Sequence, residues 1–261
     1  MIKIGLLGGS GFDDAGLIDN IEQIKVHTPF GSPSDFMTIG SFEGIDLVIL
    51  LRHGKGHRIY PTGVNYRANI WAMKELGVTH IIATTAVGSL REDIAPGDLV
   101  LPDQFIDRTT KRRQTFYEGD KICHISMAEP FCPKLRKIIR DTAKSLSIKC
   151  HERATVVTIE GPRFSTKAES NMFRAFGADI INMSTVPEVV LAREAGICYA
   201  QIAMSTDYDC WHESVEPVTW DQIIKVFKNN VAHVKKLFFN TIKKIDYIEC
   251  SCKDAIKTSL M

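Results

Sequence analysis

The sequence has no apolar run approaching the ~18 residues that a membrane-crossing helix needs. The Ile2 to Leu7 run is too short for a signal h-region and soon reaches Asp13 and Asp14, so a soluble, cytoplasmic protein is expected. An excess of one charge is also missing. With 32 Lys+Arg against 31 Asp+Glu the net charge is +1, so nothing in the balance draws the chain to nucleic acid or to a membrane. There is no CxxC pair, which removes the common zinc-ribbon spacing. There is no GxGxxG after the first strand either, because Asp14 stands where its third glycine would be, so a dinucleotide site is poorly supported.

What is present is an ordinary 44% of hydrophobic residues in 261, enough for one sizeable core. Of seven cysteines, Cys123, Cys132, Cys150, Cys198 and Cys210 are scattered and read as buried thiols. Cys250-Ser-Cys252 differs: a CxC pair can close a small strained ring or bind a soft metal. Intracellular disulfides occur in hyperthermophiles, with which a Lys- and Ile-rich composition is compatible, and a disulfide is the expectation for this pair. The other residues from Cys250 on read as frayed. The division expected is one domain over 1–246 and a tail over 247–261.

Strand signals alternate with helical ones. Strands are expected at 3–7, 24–26, 37–39, 45–51, 79–84, 98–101, 105–106, 154–159, 178–183 and 197–205. Helices are expected at 64–77, 130–146, 168–176 and 186–195, and from a capping box at Thr219 to Ile242. The fold class is therefore α/β: a single domain with a mixed central sheet flanked by helices. The charged run Arg108 to Arg113 reads as a mobile or intersubunit loop.

Ligands in such folds sit beyond the carboxyl ends of strands. Gly8-Gly9-Ser10-Gly11 offers backbone N–H groups and a hydroxyl to an anion. Arg52-His53 offers a planar fork and a further donor. Thr84-Thr85-Ala86 and Asn182-Met183-Ser184 add small polar groups. One such turn is common, but several on core strands, one carrying Arg and His, make an oxyanion site. HxxxH at His53 and His57 does not read as a metal pair, because Gly54 and Gly56 argue against the helix that would align it, and no metal is expected at the site. Asp207 and Asp209, two residues apart on a segment read as extended, point the same way and can grip one edge of a heterocycle.

These segments resemble the methylthioadenosine phosphorylases, in the trimeric branch of the purine nucleoside phosphorylase superfamily. The resemblance covers roughly residues 2–245. It is carried by GGSGFDD (8–14), TPFGSPSD (28–35), RHGKGH (52–57), NYRANIWA (65–72), TTAVGSLRE (84–92), PGDLVLPDQFIDRTT (96–110), MAEPFCP (127–133), TIEGPRFSTKAES (158–170), INMSTVPEVVLAREAGICYA (181–200) and MSTDYDCW (204–211). That many blocks in one order are highly specific. The tail departs from the usual pattern.

The resemblance implies a purine/uridine phosphorylase-like fold and attack of inorganic phosphate, the co-substrate, on the ribosyl C1′ of S-methyl-5′-thioadenosine. The products are adenine and 5-methylthioribose 1-phosphate, with adenosine as a second substrate and no cofactor. It puts phosphate among Ser10, Arg52, His53, Thr85, the Ala86 backbone and Ser184. It puts the ribose on Met183, with Phe164 and Ser165 beside it, and makes Asp207 the general acid at purine N7. Asp209 would meet the 6-amino group, and a 6-oxopurine nucleoside or methylthioinosine phosphorylase is the alternative that this residue argues against. His124 of a neighbouring subunit and Trp220 would line the alkylthio pocket, and Glu160 would be structural. The branch implies at least a homotrimer, with a hexamer of two trimers as the larger form.

Overall fold

The computed structural model describes residues 2–8, 18–213, 220–246 and 250–261, without the side chains of 220–225, 227 and 229. Strands β1 (Lys3–Gly8), β2 (Asp19–Ile24), β3 (Met37–Phe42) and β4 (Ile45–Leu51) come first. Helix α1 (Tyr66–Glu75) starts where Asn65 accepts the Ala68 N–H at 3.2 Å, and stops before Gly77, whose φ of +77° only glycine adopts freely. Then come β5 (His80–Ser89), β6 (Leu99–Val100), β7 (Gln104–Arg108), α2 (Pro133–Ser145), β8 (Cys150–His151) and β9 (Thr155–Ile159). Helix α3 (Lys167–Ala175) opens on a Thr166–Glu169 capping box. The chain closes with β10 (Ile180–Asn182), α4 (Thr185–Glu194), β11 (Cys198–Asp207) and α5 (Trp220–Ile242). Thr219, the expected cap of α5, lies outside the described residues.

The sheet is mixed, as expected, and runs β2-β3-β4-β1-β5-β10-β9-β7, with β11 branching from β5 toward β6 and β8. Its central strands alternate between two cores, which is why their sequences are apolar throughout. Leu7, Val48, Leu50, Ile81 and Ala83 face the core that takes in Ile70 of α1 and Val189 of α4. Ile4, Leu6, Leu47, Ile49 and Ile82 face Leu135 and Ile139 of α2 and Val234, Leu237 and Phe238 of α5.

Several expectations are corrected. β2 covers Asp19–Ile24 rather than 24–26: it is an exposed edge strand with a bulge, so its polar residues carry no apolar signal. β8 is too short to leave a periodicity. β5 runs to Ser89, because its Thr84–Ser89 half, read as a strand end, keeps pairing with β11 and meets β10 antiparallel.

The tail is not frayed. Ser251–Asp254 form a 3-10 turn, Cys252 is buried, and a bridge joins Leu260 to Cys123, with His124 N–H donating to Ser259 O at 2.8 Å. The expected Cys250–Cys252 disulfide is corrected as well. Both are free thiols whose sulfurs stand 3.2 Å apart, well beyond the about 2.05 Å of a disulfide bond, and they share their buried position with the sulfurs of two further cysteines.

Candidate active site

The cleft opens where neighbours change along β5. Its first half pairs with β1 as far as Ala83, and only at Gly88–Ser89 does β10 come alongside. Among the described residues no strand pairs with that edge over Thr84–Val87, which makes a topological switch point within one strand. A cavity of about 940 Å³ lies there, within the range of small-molecule sites. Arg52, His53, Thr85, Ala86, Phe164, Ser165, Met183, Ser184, Asp207 and Asp209 all line it. Of the other expected residues, Ser10 and the Trp220 side chain lie outside the described residues. His124 is exposed and does not line the cavity of its own chain.

At one part of the cavity two hydroxyls converge, with Thr85 Oγ1 3.0 Å from Ser184 Oγ. Ser184 precedes α4 but makes no side-chain capping bond, so its hydroxyl is available to a ligand. Arg52 is buried beside them and bound edge-on to Glu188, Nε to Oε2 at 2.6 Å and Nη2 to Oε1 at 2.8 Å. Its Nη1 donates to Thr84 O and its Nη2 to Leu7 O, so among the described residues one of the five guanidinium hydrogens, on Nη1, has no partner. Burial works to lower the Arg52 pKa, but Glu188 holds it raised.

His53 differs from the donor expected. Burial, Arg52 and His57 push its pKa down to about 3, so the ring is neutral at pH 7. Its Nδ1–H donates to Ile59 O at 2.9 Å, since a carbonyl can only accept, and Nε2 is left as an acceptor. A ligand atom can bond to that nitrogen only by bringing its own proton.

At another part of the cavity stand the two carboxyls, though not by strand alternation. A bulge follows Ser205, Asp207 ends β11, and Asp209 sits beyond it in left-handed backbone at φ +50°. Asp209 N–H donates to Asp207 Oδ1 at 2.7 Å and Thr206 Oγ1 to Oδ2 at 2.7 Å. Burial outweighs both bonds and pushes the Asp207 pKa up to about 6. Burial pushes Asp209 upward too. The Ser165 hydroxyl lies close to Asp209 without meeting hydrogen-bond geometry, so a buried polar atom faces the same region unsatisfied.

A strut braces the Met183 side of the cavity. Arg112, from the run read as a mobile or intersubunit loop, has a side chain only 1% exposed. Its Nη1 donates to Met183 O and Val186 O, both at 2.7 Å, and its Nη2 to Glu160 O at 2.8 Å. Glu160 takes N–H bonds from Thr110 at 2.7 Å and Lys111 at 3.0 Å, besides bonding Thr62 Oγ1 and Arg112. Against the burial that raises it, these bonds hold its pKa down at about 2. It does not line the cavity, which agrees with a structural role.

Sequence reasoning missed Arg112, Glu188, Thr206, Lys228 and Val231. The last two reach the cavity from α5, and nothing in an amphipathic helix marks which turn crosses a site. It also missed why Gly88 is glycine. A Cβ there would stand 3.0 Å from Asp207 Oδ1 and Ile181 Cγ2 and 3.3 Å from the Asp209 Cβ. Gly88→Ala is therefore expected to lower kcat/KM on the order of tenfold by displacing a carboxyl, with Tm down by a few degrees. Steady-state kinetics matching the parent would show that Asp207 tolerates the shift.

The profile of the Phosphorylase superfamily matches residues 3–243. The chain belongs to that superfamily. It is 57% identical over 249 residues to S-methyl-5′-thioadenosine phosphorylase of Danio rerio, covering 94% of this chain and 89% of the relative. It is 54% identical over 259 residues to the protein of the same name from Pyrococcus horikoshii, covering 99% of both. A solved mutant of adenosine/methylthioadenosine phosphorylase from Schistosoma mansoni, in complex with methylthioadenosine, superposes with a TM-score of 0.93 at 43% identity over 99% of this chain and 98% of that one.

Proposed function

We propose that this phosphorylase superfamily member cleaves S-methyl-5′-thioadenosine with inorganic phosphate, releasing adenine and 5-methylthioribose 1-phosphate. The relatives named above support the substrate. The observation that carries the reading is that one cavity holds both the Thr85–Ser184 hydroxyl pair and the Asp207–Asp209 carboxyl pair. β5 reaches the first at Thr85 and the second at Gly88, three residues or about 10 Å on, room for a ribose between an oxyanion and a purine.

Phosphate binds as its monohydrogen dianion among Arg52 Nη1, Thr85, Ser184, the Ala86 backbone and Ser10, its own hydroxyl donating a hydrogen bond to His53 Nε2. One of its oxygens attacks C1′ as the C1′–N9 bond breaks, and the bonding pair leaves with the purine. The phosphate dianion stabilises the ribosyl cation that develops. Asp207, with its pKa near 6, gives N7 the proton that makes adenine a neutral leaving group. Asp209 accepts from the 6-amino group. Met183 and Phe164 hold the ribose, Ser165 offers its unsatisfied hydroxyl, and no metal or cofactor enters a step.

The same reading takes the chain as at least a homotrimer, with Trp220 and a neighbour's His124 around the alkylthio group. Phe164, 43% exposed at the cavity, leaves a face for such a neighbour to cover. Among the described residues no helix is long and apolar enough to cross a membrane, and the free thiols fit a reducing compartment, so we place the protein in the cytoplasm.

The test is product analysis for methylthioadenosine, adenosine and inosine, each with and without phosphate, on protein whose mass in solution is measured by light scattering. Phosphate-dependent adenine release from methylthioadenosine is expected, with adenosine a weaker substrate. The methylthio group adds about 1–2 kcal/mol of apolar transfer. Release without phosphate would make the protein a hydrolase, preference for inosine would overturn the base assignment, and a fully active monomer would remove the role of a neighbour's His124.

A further inference from the structure

Away from the cavity, four cysteines from three distant segments meet in the core shared by α2 and α5. Cys132 is the N-cap of α2, Cys198 opens β11, and Cys250 and Cys252 flank the first residue of the tail's 3-10 turn. All four are buried, and their sulfurs lie within 4.8 Å of one another. Cys132 Sγ is 3.4 Å from Cys250 Sγ, and Cys250 Sγ is 3.2 Å from Cys252 Sγ, so neither of these pairs is at disulfide distance. A tetrahedron of sulfurs around an ion at about 2.3 Å has edges of about 3.8 Å, the middle of this range.

We propose that Cys132, Cys198, Cys250 and Cys252 form a tetrathiolate site for a zinc ion. Packing alone does not call for four thiols at one point, since alanine or valine would fill the same space without weak donors facing each other. The surroundings suit the excess negative charge of four thiolates on a dication. The Leu135 N–H at the amino end of α2 donates to Cys132 Sγ at 3.5 Å, and Arg193 Nη1 donates to Cys252 Sγ at 3.7 Å. His80 pairs with Cys198 across parallel strands and so shares its face of the sheet. Its Nε2 is buried with no hydrogen-bond partner among the described residues, the kind of outer group that supports a ligating sulfur.

Four protein ligands close the coordination sphere, which makes the site structural rather than catalytic. It lies at the opposite end of β11 from Asp207, about 30 Å along the strand. The ion would tie the tail to α2 and β11. This is independent of the proposed reaction, and the test does not read activity alone.

The full chain is purified anaerobically under reducing conditions from zinc-supplemented medium, and its metal is measured by mass spectrometry. One zinc per chain is expected, falling to background in Cys252→Ser and in Cys198→Ser. Tm should fall on the order of 10 °C in the variants and on stripping the parent with a chelator. Refilling the stripped parent with cobalt should give the thiolate charge-transfer and tetrahedral d–d bands, and kcat at moderate temperature should hold in Cys252→Ser. Thiol titration and intact mass of the denatured parent decide the rest. Metal-free protein with two disulfides among these cysteines overturns the proposal, and so does metal-free protein with all seven thiols free.

Discussion

Asp207→Asn is expected to lower kcat/KM for methylthioadenosine by on the order of 10²- to 10⁴-fold, the range over which a positioned general acid contributes. Asparagine keeps the size and one acceptor for Thr206 or the Asp209 N–H but has no proton to give N7. The pH dependence separates this role from a merely structural one. With the Asp207 pKa at about 6, the protonated carboxyl thins out tenfold per unit above that pH, and the parent loses its acid accordingly. Phosphate ionises in the same region, but it does so for both proteins, so the ratio of variant to parent is the quantity to follow. That ratio should climb above pH 6. A flat ratio, or a loss below tenfold, would take the proton donation away from Asp207.

The same group carries a stability signature. Its folded pKa, about 6, stands above the ordinary 3.8, so the folded state holds the proton more tightly than the unfolded chain. Ionising Asp207 therefore costs stability, a cost absent below about pH 4 and fully present above about pH 6. The variant has no such charge. Its Tm minus that of the parent should increase from pH 4 to pH 8, and calorimetry at those two values reads the sign directly.

Asp209→Asn is expected to exchange base preference, losing about 10- to 100-fold in kcat/KM with methylthioadenosine and gaining with inosine. A buried carboxylate facing a 6-amino group is satisfied, while an amide turned to offer N–H suits a 6-oxo group. A mismatched buried pair costs on the order of 1–3 kcal/mol. The backbone makes the experiment clean: Asp209 sits at φ +50°, and asparagine is among the few residues that adopt that region readily. Unchanged selectivity would mean that Asp209 does not read the 6-substituent. Asp207→Asn should lower turnover of every nucleoside, so the two variants are distinguishable on the same substrates.

Much of the site was legible because each of its strands carries its polar residues where its apolar run ends. Arg52-His53 after β4, Asn182–Ser184 from the last residue of β10 on and Asp207 at the end of β11 can be found by that rule, since a sheet buried on both faces needs apolar residues until it reaches its ligand. The rule misled at Thr84–Ser89, because small residues also serve inside a strand whose partner changes. It gave no warning that Glu188 and backbone carbonyls take four of the five Arg52 hydrogens, nor that Ile59 takes the one ring N–H of His53.

By itself the sequence determined the α/β class, the strand and helix alternation and the residue types at the strand ends. All of these follow from local periodicity, turn chemistry and side-chain chemistry within a dozen residues. Tertiary structure alone decided what depends on distant segments meeting. The bulge and left-handed turn aim Asp207 and Asp209 into one cavity, burial moves the Asp207 pKa, and Arg112 leaves a charged loop to brace Met183. It also brought Cys132 and Cys198, which no spacing links to the CxC pair, to within 4.8 Å of it. Desolvation and long-range pairing depend on the whole packed chain, so no window of sequence contains them.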